Sequence, residues 1–303
     1  MTAALISVII PVHRRLEYLA AAVSSVASQS DTDWEVIVVS DAATPDLTRL
    51  IGGVQGLTVI AGPGRGPGAA RNRGAEVARG KWLVFLDDDD RLRPTALAAL
   101  RRALLEHPEF VWAAGRLAYI DANGAVLGRV HPGRFETGDI YPAMIEGCQM
   151  GPPATVMVNR EVFDRSGGFP PEQRFCEDYD LWLAMARDHP IAAVDEVVAD
   201  YRVHATQATT DWRGLYDGHL RVLRKHRALA RPGFTPAFDA AEANHLLALG
   251  DALYLAGDTR EARQRWRDAR RAGTLPRSTI AYRWIKSWVP SGLLRAARRT
   301  IRG

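Results

Sequence analysis

Lys81-Trp82-Leu83-Val84-Phe85-Leu86-Asp87-Asp88-Asp89-Asp90 joins a short apolar run to four consecutive carboxylates. An apolar run of this length, rich in aromatic and branched side chains, reads as a strand buried on both faces. Four adjacent carboxylates repel one another and call for a cation or a basic partner. A solvated acidic turn is one way to hold such a run. Its place favours another, because ligands of open α/β sheets gather beyond the carboxyl ends of strands. Mg²⁺ and Mn²⁺ commonly join one or two carboxylates to substrate phosphates there. The run therefore reads as a metal–diphosphate site.

The segments upstream repeat the same grammar. Leu5–Ile10 is a β-rich run closed by Pro11, and Leu16–Ser28 has a helical pattern. Glu35–Ser40 is a second strand with Trp34 before it and the polar loop from Asp41 after it; Leu57–Ala61 is a third. The Gly-rich segment 62–68 leads into a helix over Ala69–Ala78. This alternation predicts right-handed crossovers and an α/β fold with a mostly parallel central sheet covered by helices on both faces. Downstream, strands are expected at Phe110–Ile120, Val126–Val130, Ala154–Val158 and Val194–Tyr201, with a helix at Glu177–Arg187. From Asp211 the pattern is helical throughout, giving a domain of residues 1–210 and an all-helical extension of residues 211–303. Within the extension, Leu249-Gly250, Tyr254, Gly257, Ala262, Trp266 and Ala269 have the small/large spacing of a tetratricopeptide-like hairpin. One copy cannot stand alone, so it is expected to be an appendage.

Composition sets the outer limits. The chain has 303 residues, 47% hydrophobic and 24% charged, which is globular usage and excludes a disordered chain. Two cysteines, Cys148 and Cys176, make no disulfide framework and suit a reducing cytoplasm. Ala3–Pro11 is a poor signal peptide, and no apolar run approaches the ~20 residues of a membrane span. Residues 1–210 carry 20 Lys+Arg against 27 Asp+Glu, a balance of −7. Residues 211–303 carry 19 against 8, a balance of +11. An anionic ligand of the first part must therefore be held by local features, while the second part is broadly cationic.

Two such local features stand out. Gly68-Ala69-Ala70-Arg71-Asn72-Arg73-Gly74 opens a helix where backbone can approach an anion, and Arg71 is a candidate nucleotide contact or a surface residue. Gly167-Gly168-Phe169 precedes a helix whose first turn holds Glu177, Asp178 and Asp180. Acids there compensate the helix dipole, or one of them deprotonates a hydroxyl acceptor as general base. The residues alone leave both readings open.

Together, Ile6–Pro11, Val38–Asp41, Gly68–Gly74, Gly80–Asp90, Gly167–Phe169, Glu177–Trp182 and Tyr201-Arg202-Val203-His204 resemble, in order, the motifs of the family 2 glycosyltransferases. The resemblance covers roughly residues 5–205. It implies the GT-A fold and an inverting transfer from a nucleoside-diphosphate sugar to a hydroxyl acceptor, as in bacterial surface polysaccharide synthesis. Carried over by position, Pro11, Val12, Asp41, Arg71, Asp87, Asp88 and Arg202 would bind the nucleotide-sugar. Asp89, Asp87 and His204 would bind Mn²⁺ or Mg²⁺, and Asp178 would be the general base with Glu177 positioning beside it. Arg202 and His204 would reach the diphosphate or the metal. Two departures bear on the donor: Val12-His13-Arg14 stands where the family has Tyr-Asn, and Ser40-Asp41-Ala42-Ala43 lacks one aspartate and the glycine.

The tail mixes aromatics with basics over Ile280–Val289 and Leu293–Arg299, and no acid follows Asp268. Such a helix lies on anionic lipid near a lipid-linked glycan acceptor, or packs its Trp face on the core. The expected location is the cytoplasm, with peripheral contact at the inner face of the cell membrane left open by the first alternative. No nucleic-acid-binding motif accompanies the charge, so no nucleic-acid partner is expected. An inactive relative that binds nucleotide-sugar and acts through the extension is the alternative. A nucleotidyltransferase ranks below both, because Pro11-Val12-His13-Arg14 is not a Gly-rich phosphate loop.

Overall fold

The computed structural model describes residues 6–13, 16–41, 47–131, 136–273 and 275–286. In chain order the first elements are β1 (Ile6–Val12), α1 (Leu19–Ala27), β2 (Trp34–Ser40), α2 (Leu47–Ile51), β3 (Leu57–Ala61), α3 (Pro67–Val77) and β4 (Trp82–Phe85). Next come β5 (Arg91–Leu92), α4 (Ala96–Glu106), β6 (Trp112–Ile120), β7 (Val126–His131), α5 (Tyr141–Glu146) and β8 (Val156–Asn159). Then follow α6 (Arg160–Arg165), α7 (Glu177–Asp188), β9 (Ala192–Arg202), α8 (Trp212–Arg227), α9 (Thr235–Ala256), α10 (Thr259–Ala272) and α11 (Arg277–Lys286). Two compact units result: Met1–Met144 with Cys148–Thr210, and Ile145–Gly147 with Asp211–Gly303.

The first unit holds one sheet in the order β3-β2-β1-β4-β8-β6-β9-β5, with β7 on β6. β3, β2, β1 and β4 are parallel, as the alternation predicts. Beyond β4 the sheet is mixed. β8 runs antiparallel to β4 and β6, β7 to β6, and β5 to β9, while β6 and β9 are parallel. The mostly parallel expectation thus holds for one half only: β7 returns from β6 through a tight turn open only to an antiparallel pair, while β8 and β5 pair antiparallel with strands distant in sequence.

Alternation along β1 sends its side chains to both faces. Ile6, Val8 and Ile10 join the α1 and α4 side chains Leu19, Val23, Val26, Leu97 and Leu100 in one buried cluster. Ile9 faces α3, where a Cβ on Gly74 would overlap its side chain, so only glycine lets the helix lie this close to the strand. β1 and β2 end together, Val12 opposite Ser40, and the turn after β4 leaves beside them, Leu86 N–H donating to Ile9 O at 2.9 Å. The carboxyl ends of three strands and the N-terminus of α3 therefore converge.

The second unit is helical. Leu220, Leu246, Leu249, Leu253, Tyr254, Ala262, Trp266 and Ile280 form its core. Gly250 makes room for the Trp266 indole, whose N–H donates to Asp251 at 3.1 Å; Arg283 closes both oxygens of Asp251 at 2.8 Å. Of the basic aromatic tail, Ile280 is buried and Trp284 packs on this core, while residues 287–303 lie outside the described residues. No helix among the described residues is long and apolar enough to cross a membrane.

Candidate active site

The acidic run occupies the turn between β4 and β5, and its four carboxylates meet four different surroundings. Asp87 Oδ1 accepts a hydrogen bond from Arg71 Nη2 at 2.6 Å. Asp88 is half-buried on the same turn. Asp89 Oδ2 lies 3.0 Å from His204 Nε2. Asp90 is 1% exposed and accepts the Arg202 backbone N–H at 2.9 Å. Its burial, together with the charges of Asp89 and Asp87, raises its carboxyl well above the ordinary aspartate range.

Arg71 lies on α3 and is 3% exposed. Besides Asp87 it pairs with Glu177 Oε1 at 2.8 Å, and its guanidinium lies 5.1 Å from the Phe169 ring centroid. Burial works against its charge, but Asp87 and Glu177 more than offset that and hold the guanidinium ionised. Arg71 thus ties the turn after β4 to the first turn of α7. The neighbouring Asn72 reinforces the tie: its Nδ2 donates to Phe169 O at 2.7 Å and its Oδ1 accepts Phe169 N–H at 2.9 Å. Phe169 in turn packs edge-on against Phe85, centroids 4.9 Å apart, and against Trp182. The Gly-Gly-Phe turn is therefore a bracket that fixes α3, β4 and α7 together.

α7 begins after Cys176, whose φ of 61° is left-handed, and carries Glu177 and Asp178 toward Arg71. Burial raises the Asp178 carboxyl; Arg71 and the Tyr179 N–H pull the other way, and Asp87 adds to the rise. Glu177 is raised likewise, chiefly by burial. Cys148 lies close enough to Asp178 to sense its charge, and burial above all pushes its thiol up to about 12. Such a thiol stays protonated and is no nucleophile.

Pro11 and Val12 lie buried at the end of β1. Asp41 follows β2; its Oδ1 accepts Gly64 N–H at 2.8 Å, and its Oδ2 lies 3.7 Å from His13 Nδ1. It thereby anchors the Gly-rich loop ahead of α3. Arg202, expected at the diphosphate, is 4% exposed and turns its guanidinium to backbone carbonyls: Nε donates to Asp89 O, and Nη1 to Asp121 O and Ala122 O. The motif reading overlooked Tyr18, whose ring lies 4.4 Å from the Arg202 guanidinium and 5.6 Å from the His204 ring.

Asp89 and His204 contact each other directly and are the donors that would hold a divalent cation. Two cis ligands of an octahedral ion with ~2.1 Å bonds stand about 3 Å apart, the separation seen between their oxygen and nitrogen. His204 Nδ1 is engaged by Thr206 Oγ1 at 3.1 Å, the kind of support that fixes a ligating ring. No group of three or more His, Cys, Asp or Glu placed to hold an ion occurs among the described residues, so phosphate and water oxygens would complete the shell.

A family model described as Glycosyl transferase family 2 matches residues 7–167. The chain belongs to that family. The glycosyltransferase match ends ahead of α7 and His204, which the geometry attaches to the rest of the site. Among curated relatives, an uncharacterized glycosyltransferase of Rickettsia conorii is 30% identical over 201 residues, 65% of this chain and 33% of its own length. The chain thus spans about a third of that relative. The putative teichuronic acid biosynthesis glycosyltransferase TuaG of Bacillus subtilis is 26% identical, covering 69% of this chain and 83% of its own. The crystal structure of S. aureus TarS 1–349 in complex with UDP-GlcNAc superposes with a TM-score of 0.65 at 19% identity, over 88% of this chain and 79% of that one. The GT-A fold expected for a family 2 glycosyltransferase is the fold of this chain.

Proposed function

We propose that the chain is an inverting, divalent-metal-assisted glycosyltransferase that moves a sugar from a nucleoside-diphosphate sugar to a hydroxyl of a cell-surface glycan acceptor. The observation that carries the reading is Arg71, buried between Asp87 and Glu177, which makes the acidic turn and the start of α7 one site. The names of TuaG and of the TarS complex support a surface glycan and a UDP-sugar.

In this reading Asp41 takes the nucleobase beside Pro11 and Val12. Asp87 and Asp88 would face the ribose and diphosphate, and Asp89 with His204 would hold Mn²⁺ or Mg²⁺. The ion supplies charge stabilisation to the departing diphosphate. Asp178 accepts the acceptor's hydroxyl proton as the new bond forms on the face opposite the leaving group. Its raised carboxyl brings proton affinity nearer the operating pH, which favours general base catalysis. Glu177, pinned by Arg71, holds the first turn of α7 in register for that transfer. The enzyme would work from the cytoplasm.

Calorimetric titration of UDP, GDP and dTDP, each with and without Mn²⁺, tests the donor side. Metal-dependent binding of one nucleotide by the wild type, lost in Asp89→Ala, is the expected result. A folded wild-type protein that binds none of the three would leave the inactive relative as the better account.

A further inference from the structure

We propose that Arg202 is a positioning residue that sets the spacing of Asp89 and His204, and that Asp90 is its anchor. The proposal rests on the metal reading of that pair. β9 ends at Arg202, two residues before His204, and the acidic turn ends at Asp90, next to Asp89. These two chain ends lie more than a hundred positions apart in sequence; the β5–β9 pairing, Arg91 opposite Asp200, brings them side by side, and what is left to fix is the spacing of the residues just past that ladder. Two bonds do so directly: Arg202 N–H donates to Asp90 Oδ1 at 2.9 Å, and Arg202 Nε donates to Asp89 O at 2.8 Å.

The same guanidinium reaches a third segment. Nη1 donates to Asp121 O at 3.2 Å and to Ala122 O at 3.0 Å, in the turn that joins β6 to β7. Its face is covered by Tyr18, which also abuts the His204 ring. A planar guanidinium presents its donors from several nitrogens in a fixed fork and so fixes the orientation of three carbonyls; the single rotating nitrogen of an ammonium does not. A cation contacting phosphate would need mainly charge and access. A brace needs the fork, and at 4% exposure the fork is what this residue presents.

The two roles separate experimentally in the full-length protein. Mn²⁺ binding is followed by its electron paramagnetic resonance signal, with and without UDP, and UDP affinity without metal by calorimetry. Arg202→Lys keeps the charge and loses the fork; it is expected to weaken Mn²⁺ binding ~10–100-fold, the usual effect of removing support behind a ligand. Metal-free UDP affinity stays at the wild-type value. Asp90→Ala weakens Mn²⁺ binding in the same way, whereas Asp90→Asn, which keeps an oxygen for the Arg202 amide, restores it. If Arg202→Lys fails to fold, the Asp90 pair decides alone. Wild-type Mn²⁺ affinity in Arg202→Lys or in Asp90→Ala overturns the brace, as does a fall in metal-free UDP affinity in Arg202→Gln. A wild-type protein that binds no Mn²⁺ overturns the metal reading and the brace with it, whereas the other outcomes leave the metal reading standing.

Discussion

Asp178 works against its own surroundings: burial favours the proton and Arg71 favours the charge, with burial the larger effect. With Asp178 as the proposed base the ionised form is the active one, so the acid limb of the pH–rate profile should lie above the ordinary aspartate range, activity rising with pH through that limb. Asp178→Asn should lower kcat by about 10²–10⁴, the usual worth of a general base, and leave Mn²⁺-dependent nucleotide binding intact. Steady-state rates from pH 4 to 9 and calorimetry on the variant check both. A rate equal to wild type would move the base elsewhere, with Glu177 next in reach. Single residues also show what is legible in the sequence. Asp87, Asp89, Arg71 and Asp178 were all nameable from motifs, and the fold brings them to one end of one sheet. Arg202 was nameable too, but a motif carries no orientation, and only the packing shows the guanidinium turned to carbonyls. Tyr18 had no signal at all, because its neighbours His204 and Arg202 lie far along the chain.

At the scale of elements, β3 was read at Leu57–Ala61, where it lies, because a short branched run between Gly-rich segments admits few alternatives. β5 was missed. Two residues have no period, and Arg91-Leu92 becomes a strand only by pairing with Asp200 and Ala199 of β9. No motif in the sequence marks α4 between the acidic run and the next strand, although its apolar side chains belong to the main core. The direction of β8 was equally unreadable, since hydrophobic pattern reports burial and not strand polarity. In the helical unit, His219 of α8 and His245 of α9 stack at 5.1 Å, each bonded to a backbone carbonyl. Burial lowers both, His245 to about 4 with His219 contributing. A histidine with a lowered folded pKa contributes stability above the unfolded value of ~6.5 and loses it as pH falls toward the folded value. Thermal unfolding should therefore move to lower temperature between pH 7 and pH 5. His245→Gln, which cannot take up a proton there, should flatten that dependence; an unchanged slope would remove the pair from the account.

For the whole molecule, charge is uneven along the chain. Residues 1–210 are acidic and residues 211–303 basic, so the net charge of +4 describes neither. The ties that make the site are long: Asn72 to Phe169 spans 97 positions, Arg71 to Glu177 spans 106, Asp90 to Arg202 spans 112 and Asp89 to His204 spans 115. Closing loops of this length is slow, because chain entropy is lost before the contacts repay it. The parallel pairing of β1–β4 lies within residues 6–85, whereas the ties of the site reach to residue 204. On refolding from denaturant, the amide signal of the sheet should therefore recover before the protein regains nucleotide binding, and the lag between them would time the arrival of β9 and α7. The same order is expected during synthesis: a chain stopped before residue 204 holds every strand of the sheet but lacks the His204 partner of Asp89, so a truncated product would carry the scaffold without the closed site.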